Sequence, residues 1–337
     1  GKMRGGLGVA NILVSTMMGG VSASNLADAA MLSRMMVPEM ERKGYNRAFA
    51  AAITAGGSLV TPIIPPGIAL IIYGLVADVS IGKMFIAGLV PGLLCAVVLM
   101  FTVYLVARKT NAKPSRESWP TGKEVVFSLG QAWPALFLIF AVVGGIRANI
   151  FTPTEAGAAA VLIVLAIGFF IYREMRISHV VKALGETARA TASVMLVIMA
   201  SAALGWIFSM EHAGVAVANF VTSLTENKYM FLLIINILLL TLGMFLEGNA
   251  ILLILVPLLK PVVEHFGIDP VHFGIIMIFN LSIGAFTPPV GTVMLLVCNI
   301  TQVSVGNFFK QSLPLLAALL LMLMLVTYIP AISLFLV

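Results

Sequence analysis

An uncharged run, residues 48–77, is long enough to span a lipid bilayer but is interrupted at its centre. Residues 56–67 contain three glycines and three prolines, among them Pro65-Pro66. Because proline lacks a backbone N–H and clashes with the preceding helical turn, this run cannot form one continuous helix. Unwound backbone at membrane depth is tolerated only inside protein or beside a water-filled cavity. The run therefore predicts a broken transmembrane helix next to a cavity.

The same kind of interruption occurs near the end of the chain. Residues 269–301 open with Asp269-Pro270 and contain Thr287-Pro288-Pro289, followed closely by Gly291. Two interrupted apolar segments in corresponding halves of a chain are the sequence feature that best locates a transporter's binding site. The sequence therefore predicts two broken helices that face one site.

The composition identifies the class of protein. The chain has 337 residues, of which 60% are hydrophobic and 10% charged, whereas a soluble domain carries about 25% charged residues. An outer-membrane barrel would need alternating segments of about 10 residues, and the apolar runs here are continuous and longer. The expected fold is therefore an all-α, polytopic membrane protein.

The charged and metal-binding residue types point to no further ligand class. The net charge of +6 is attributed to basic cytoplasmic loops, so no nucleic-acid partner is expected. Cys95 and Cys298 lie in apolar runs, and the four histidines are scattered, which argues against a metal site. No cofactor is expected apart from a coupling ion.

Two segments have the pattern of a short helix, a polar turn and a second short helix. The first of these helices, residues 6–18, is too short to cross the bilayer, and the pattern predicts re-entrant hairpins with both ends on one face. A single kinked span is the alternative for the first one. The hairpins comprise residues 6–18 and 26–37 around the turn 19–25, with Pro38 as the expected end, and residues 229–246 and 250–263 around Glu247-Gly248-Asn249.

The remaining apolar runs predict ordinary spans and define the expected domains. The spans are expected at residues 83–108, 125–146, 155–172, 187–210 and within 305–337, with a charged loop at 39–47 and interfacial segments at 122–131 and 212–225. The expected domains are residues 1–109 (first-repeat hairpin, broken helix and closing helix), 110–131 (cytoplasmic loop or interfacial helix), 132–228 (scaffold helices of the second repeat) and 229–337 (second-repeat hairpin, broken helix and closing helix).

The order of these elements predicts an internal repeat of inverted topology. Hairpin, broken span and final span occur twice, and each hairpin contains a Val-Pro pair, Val37-Pro38 and Val256-Pro257. The positive-inside rule places the basic loops in the cytoplasm, so that the two hairpins open to opposite faces. If the symmetry holds, three more spans of about 30 residues each, loops included, would precede Gly1.

Small oxygen-bearing residues cluster at the breaks and hairpin tips. Helix N-termini at a break favour anionic substrates, while unwound carbonyls and hydroxyl oxygens favour a hard cation such as Na⁺. Hydrogen bonding between helices is the structural alternative for each hydroxyl. The candidate Na⁺ ligands are Ser22, Ser24, Asn25, Ser58, Thr61, Glu247, Asn249, Thr287 and Thr292, and the candidate substrate-binding residues are Arg34, Gly57, Pro66, Gly67, Pro289 and Gly291.

Two carboxylates and one cation stand out within the apolar hairpins. Charged groups at membrane depth are costly and usually functional, which makes Asp28 and Glu247 candidates for ion or proton coupling. Asp28 could instead pair with Arg34, which could itself bind a substrate carboxylate or extend to the interface. Glu155 could take part in coupling, although a first-turn acid that favours the helix dipole is the simpler interpretation.

Several motifs occur in order along the whole chain, namely Gly19-Gly20-Val21-Ser22-Ala23-Ser24, Asp28-Ala29-Ala30, Pro38-Glu39-Met40, Gly44-Tyr45, Pro62-Ile63-Ile64-Pro65-Pro66, Gly145-Ile146, Phe151-Thr152-Pro153-Thr154-Glu155-Ala156 and Thr287-Pro288-Pro289-Val290-Gly291. Together they resemble the large membrane subunit of tripartite ATP-independent periplasmic (TRAP) transporters, in an N-terminally shortened form. The resemblance implies a Na⁺-driven importer of organic acids in the bacterial inner membrane that works by an elevator mechanism. It implies two partners, a small four-helix membrane subunit and a periplasmic substrate-binding protein.

The resemblance also implies that the small residues at the tips and breaks are the Na⁺ ligands. This chain departs from the usual pattern at Ala23-Ser24-Asn25, at Glu247-Gly248-Asn249, where Asp-Thr-Thr is usual, at Gly67, where Ser is usual, and at Arg34. A stand-alone Na⁺/dicarboxylate symporter of related architecture is the main alternative. An integral-membrane enzyme would need a cluster of His, Cys or Asp at one face, and a non-transporting scaffold would leave two oxygen-lined breaks unexplained.

Overall fold

The computed structural model describes residues 5–109, 121–148, 150–211 and 213–337, and the regular elements of these segments are helices. In chain order they are α1 Gly6–Ser22, α2 Asn25–Arg42, α3 Arg47–Ser58, α4 Ile68–Ala77, α5 Ile81–Lys109, α6 Gly122–Arg147, α7 Pro153–Ala166 with a π-helical turn Ile167–Ile171, α8 Ile177–Met210, α9 Ala213–Leu224, α10 Lys228–Phe245, α11 Gly248–His265, α12 Pro270–Phe286, α13 Thr292–Thr301, α14 Val305–Tyr328 and α15 Ala331–Leu334.

Six helices of the described segments are long and apolar enough to cross a membrane. They lie at residues 81–108, 154–171, 177–208, 228–245, 248–265 and 305–328. Shorter apolar helices occupy 6–19, 68–77, 270–286 and 292–301, where the sequence predicts half-helices rather than full spans. The expectation of an all-α polytopic membrane protein is confirmed.

The first predicted hairpin is a helix–turn–helix and not a single kinked span. Helix α1 ends at Ser22, Ala23 adopts a left-handed conformation with φ of 51°, and Ser24 is the N-cap of α2. Side chains of α1 and α2 contact each other near the turn and again farther from it, through Ser15 with Asp28 and Asn11 with Met40. The two helices are therefore antiparallel.

The sequence predicts that α2 ends at Pro38. In the structure the helix continues to Arg42. A proline removes one backbone donor, and the helix can continue where later N–H groups still find acceptors. The N–H of Lys43 bonds the carbonyls of Glu39 and Met40 at 3.2 and 3.1 Å. The predicted charged loop at 39–47 is thus reduced to the short connection between α2 and α3.

Two other predicted boundaries also change. Helix α6 is continuous from residue 122 to 147, so the expected boundary between residues 131 and 132 lies inside it, while residues 110–120 lie outside the described segments. Helix α8 begins ten residues before the predicted start at residue 187. Its charged first turns are exposed and include an i,i+4 pair, Lys182 and Glu186, at 3.9 Å, so they extend the helix beyond the apolar run.

Both predicted helix breaks are confirmed. Helix α3 ends at Ser58 and α4 begins at Ile68, and α12 ends at Phe286 while α13 begins at Thr292. Each break contains a cis peptide bond between two prolines, Pro65-Pro66 and Pro288-Pro289. The breaks therefore share a local backbone feature as well as a place in the element order.

A nearly constant sequence offset relates the two halves of the structure. Equivalent positions are 223 residues apart from the hairpin tips to the cis prolines, and 224 residues apart in the half-helices that follow the breaks. The pairs are the N-caps Ser24 and Glu247, the helix prolines Pro38 and Pro261, the positive-φ glycines Gly44 and Gly267, the N-caps Asn46 and Asp269, the cis prolines Pro66 and Pro289, and the left-handed C-caps Asp78 and Gln302.

This offset corrects the sequence-based alignment of the Val-Pro pairs. Pro38 is residue 14 of α2, and residue 14 of α11 is Pro261 rather than Pro257. Identical dipeptides at different turns of a helix are not structural equivalents. The repeat is therefore present, but Val256-Pro257 is not its marker.

The two repeats interlock through their hairpins and broken helices. Helix α2 of the first hairpin packs against α13 of the second broken helix, and α11 of the second hairpin packs against α4 of the first. The longer half-helices also pack across the repeats: α3 packs against α14, and α12 packs against α5. The shared core therefore lies between the repeats, and both hairpin tips lie close to both breaks.

Candidate functional site

A cavity of about 150 Å³ lies where the two hairpin tips meet the two broken helices. Residues from both predicted hairpins and both predicted broken helices line it. The polar lining residues are Ser24 and Asn25 from the first tip, Glu247 and Asn249 from the second tip, and Ser282 and Thr292 from the second broken helix, while Pro62, Ile68 and Ala69 come from the first break and its following half-helix.

Four helices begin at this cavity. Asn25, Gly248, Ile68 and Thr292 are the first residues of α2, α11, α4 and α13, and all four line it. The first N–H groups of a helix lack intrahelical acceptors and carry partial positive charge. The cavity is therefore suited to an anion even without a basic side chain.

The four helix starts differ in how they are capped. The Ser24 hydroxyl accepts from the N–H of Ala27 at 3.4 Å, and Glu247 accepts from the N–H of Ala250 at 3.0 Å. Helices α4 and α13 have the glycine N-caps Gly67 and Gly291, which provide no side-chain cap. A side-chain cap is therefore absent at the two half-helices that follow the breaks.

The second tip is held in place by its own side chains. One carboxylate oxygen of Glu247 accepts from the amide nitrogen of Asn249 at 2.8 Å, and the other caps α11. Glu247 is exposed at the cavity rather than buried in apolar surroundings. The structure therefore gives Glu247 a capping role in addition to the ionic role predicted from sequence.

Asp28 lies in a different environment, with only 1% of its surface exposed. Its Oδ2 accepts hydrogen bonds from the hydroxyls of Ser15 in α1 and Thr61 in the first break, the latter at 3.2 Å. Within the described segments its Oδ1 has no hydrogen-bond partner. Asp28 and Arg34 are both described, and no ion pair joins them; Arg34 is exposed. The predicted Asp28–Arg34 pair is therefore not formed.

The other predicted Na⁺ ligands have local hydrogen bonds or none. The Ser58 hydroxyl donates to the carbonyl of Ala55 at 2.8 Å, and the Thr287 hydroxyl donates to that of Ile283 at 2.7 Å. Each hydroxyl oxygen keeps lone pairs for a further ligand. The hydroxyl of Ser22 is buried and, among the described residues, has no partner. Ser58, Thr61 and Thr287 lie at the breaks, and Ser22 lies at the first hairpin tip. None of the four lines the cavity.

The predicted substrate-binding residues do not line the cavity either. Gly57 allows close packing of α3 on α1, because a Cβ there would lie 3.2 Å from that of Ser15. A Cβ at Gly67 would collide with the carbonyl oxygen of Pro62 inside the same break. Gly291 has φ of 42°, and its N–H donates to the carbonyl of Met244 at 2.9 Å. Gly57 therefore serves helix packing, and Gly67 and Gly291 shape the breaks; none of the three lines the cavity.

The remaining predicted residues also lie outside the described lining. Pro66 and Pro289 are the second members of the cis pairs, and Arg34 projects from α2. Glu155 forms a capping box with Thr152: its carboxylate accepts from the Thr152 N–H at 2.8 Å, and its own N–H donates to the Thr152 hydroxyl at 3.3 Å. Glu155 is thus a first-turn acid of α7, as in the simpler interpretation, and its part in coupling stays a prediction.

Sequence reasoning missed Ser282 and a buried polar network that links α10, α12 and α14. Ser282 lines the cavity and lies five residues before Thr287, so a search for hydroxyls extended by two turns would have found it. Asn280 donates to the carbonyl and side-chain oxygens of Asn236 at 3.0 and 2.8 Å, and Asn236 donates to Thr327 at 3.0 Å. Each of these residues is an isolated polar residue in an apolar run, so the sequence does not indicate that they contact one another.

Comparison with known proteins gives consistent matches along the whole chain. Residues 1–332 match the family model described as "Tripartite ATP-independent periplasmic transporter, DctM component". The chain is 38% identical to the C4-dicarboxylate TRAP transporter large permease protein DctM of Pseudomonas aeruginosa, over 99% of this chain and 78% of the relative. It is 38% identical to the sialic acid TRAP transporter large permease protein SiaM of Vibrio cholerae, over 100% and 78%. It is 36% identical to the isethionate TRAP transporter permease protein DctMQ of Oleidesulfovibrio alaskensis, over 99% and 53%.

Proposed function

Because the chain belongs to the DctM component family of tripartite ATP-independent periplasmic transporters, we propose that it imports a small organic acid coupled to Na⁺. It is a multi-pass protein of the bacterial inner membrane and a transporter component rather than an enzyme. The relatives named above transport C4-dicarboxylates, sialic acid or isethionate according to their names. All three are small organic anions, and this is the substrate class proposed here.

The convergence of four helix N-termini on one cavity is the observation that carries this proposal. The cavity offers partial positive charge from α2, α4, α11 and α13, and the starts of α4 and α13 are uncapped. Backbone N–H groups at helix starts bind carboxylates without a basic side chain. The substrate carboxylate would bind between the two breaks.

The buried oxygens beside the first break support Na⁺ as the coupling ion. Asp28 has one carboxylate oxygen without a partner, and the Ser22 hydroxyl is also unpaired within the described part of the chain. Buried charge is costly unless compensated, and oxygen ligands suit a hard cation. Asp28, Ser22, Ser58 and Thr61 would hold Na⁺ near the first break, and Asn249, Thr287 and Thr292 would hold a second ion near the other break.

The contacts between elements support an elevator movement. The hairpins and broken helices interlock, which would let them move as one unit. By contrast, the apolar part of α8 is not buried against the rest of the described structure, and α7 is nearly as exposed. Helices α6–α9 would therefore belong to the scaffold against which the interlocked unit moves.

Two partners complete the proposed system. The family description names a tripartite, periplasmic transporter, so a soluble periplasmic binding protein would deliver the substrate, and a small four-helix membrane subunit would extend the scaffold. Uptake without the binding protein would instead favour the alternative, a stand-alone symporter.

Reconstitution of the full-length subunit with both partners in proteoliposomes tests this function. An inward Na⁺ gradient should drive uptake of a labelled organic acid, and an equal K⁺ gradient should not. Uptake that is equally fast with either cation would contradict Na⁺ coupling. Absence of carboxylate uptake under both conditions would contradict the proposed substrate class.

A further inference from the structure

We propose that Glu247 makes the cavity selective for a monocarboxylate that also carries a hydrogen-bond donor, such as a hydroxyl or ammonium group, over a dicarboxylate. The inference rests on the proposed function of the cavity and adds the chemical class of its substrate. It concerns the tip of the second hairpin, where the chain has Glu247-Gly248-Asn249.

The charge of the lining is the first observation. Of the described residues around the cavity, Glu247 alone has an ionisable side chain, and no Arg, Lys or His is among them. One substrate carboxylate can bind the uncapped starts of α4 and α13. A second carboxylate would find no basic side chain in the described lining and would meet the negative charge of Glu247.

The geometry of the Glu247 carboxylate is the second observation. Its oxygens accept from the Asn249 amide at 2.8 Å and the Ala250 N–H at 3.0 Å. A carboxylate has about four acceptor positions, so two remain for a ligand. Because both existing bonds hold the group at the cavity, it is oriented before the substrate arrives.

These two features predict opposite effects on two kinds of ligand. A hydroxyl or ammonium group can donate to the free acceptor positions of Glu247. A carboxylate at the same place meets a like charge, and such juxtaposition is a common means of rejecting a wrong ligand. Neutral lining groups such as Asn25 and Ser282 do not discriminate by charge.

Binding of small carboxylates to the purified full-length permease in nanodiscs, in Na⁺ buffer and without the binding protein, tests the inference. The probes are gluconate and lactate, which carry hydroxyls, and succinate and fumarate, which carry a second carboxylate. The wild type should bind the hydroxy acids more tightly. Glu247→Gln retains the cap acceptor and should shift the succinate-to-gluconate affinity ratio towards succinate by about tenfold or more, as expected from removing a like charge.

Glu264→Gln is the matched control, because Glu264 is exposed on the same helix, α11, and lies outside the cavity lining. It should leave the ratio unchanged. An unchanged ratio in Glu247→Gln, or a wild type that prefers succinate, would overturn the inference while leaving the anion site intact. Failure of the wild type to bind any of the four acids would overturn the proposed substrate class and the inference with it.

Discussion

Each of the two repeats places one carboxylate at or near the tip of its hairpin, but at a different depth. In the first, the tip is capped by the neutral Ser24, and Asp28 is buried one turn farther along α2. In the second, the tip itself carries the charge as Glu247, and the position equivalent to Asp28 is Ile251. The repeats thus share a backbone plan while placing charge in two environments, one nearly closed to solvent and one open to the cavity.

The buried polar groups around these hairpins differ in the same way. Asp28 binds Ser15 and Thr61, whose equivalents in the second repeat are Leu238 and Gly284. The network of Asn236 and Asn280 belongs to the second repeat, and the equivalent positions of the first are Leu13 and Gly57. A duplicated fold therefore does not imply two equal ion sites, and we expect the first repeat to carry the stronger electrostatic dependence on Na⁺.

Asp28→Asn should produce the largest effect and would test whether the repeats are unequal. The neutral amide has nearly the same shape but removes the charge that Na⁺ would compensate. We expect the Na⁺ concentration for half-maximal uptake to rise by about 100-fold, the upper part of the usual range for coupling between sites. The measurement is Na⁺-dependent uptake in proteoliposomes.

Asp78→Asn is the control for this change, because Asp78 is exposed and has a left-handed conformation that Asn also tolerates. It should leave Na⁺ activation unchanged. If Asp28→Asn has the same Na⁺ dependence as the wild type, the buried carboxylate is not part of an ion site.

Gly284→Ala should destabilise the second repeat at the position where the first has Thr61. A Cβ at Gly284 would lie 2.6 Å from the backbone of Gly243, at the contact between α10 and α12. Overpacking of this kind costs about 1–3 kcal/mol, and a lowered unfolding temperature in detergent would report it. Gly157→Ala, where a Cβ meets nothing within 4 Å, should instead be neutral or slightly stabilising. Equal unfolding temperatures for the two variants would mean that the α10–α12 contact relaxes freely.

Removing the caps of the two hairpins should give the smallest effects and sharpen the contrast between them. Ser24→Ala should cost about 1 kcal/mol, typical of a lost N-cap. Glu247→Ala should cost somewhat more, because its cap bond is shorter, 3.0 against 3.4 Å, and charged. Unfolding temperatures of the two variants check the order, with Ser24→Asp as a variant that restores a cap. The reverse order would indicate that charge adds nothing to the second cap.

The sequence was sufficient to locate the hairpin tips and the breaks, because proline restricts the backbone and glycine adopts conformations that other residues avoid. It was less informative about the cavity. Ser24, Asn249 and Thr292 line the cavity as predicted, whereas Gly57 packs against α1, and Gly67 and Gly291 shape the breaks. Which side of a break faces a cavity depends on packing between elements that are distant in sequence. The pattern of one segment does not contain that information.

The interlocking of the repeats also has a consequence for biogenesis. Helix α2, complete at Arg42, packs against α13, which begins at Thr292. At the usual rate of about 5–20 residues per second, the ribosome needs roughly 10–50 s to synthesise the intervening chain. The first hairpin must therefore remain in the bilayer without one of the helices it packs against during this interval. Before synthesis of the second half is complete, the hairpin that contains Asp28 would be most vulnerable to misassembly and to quality-control proteases.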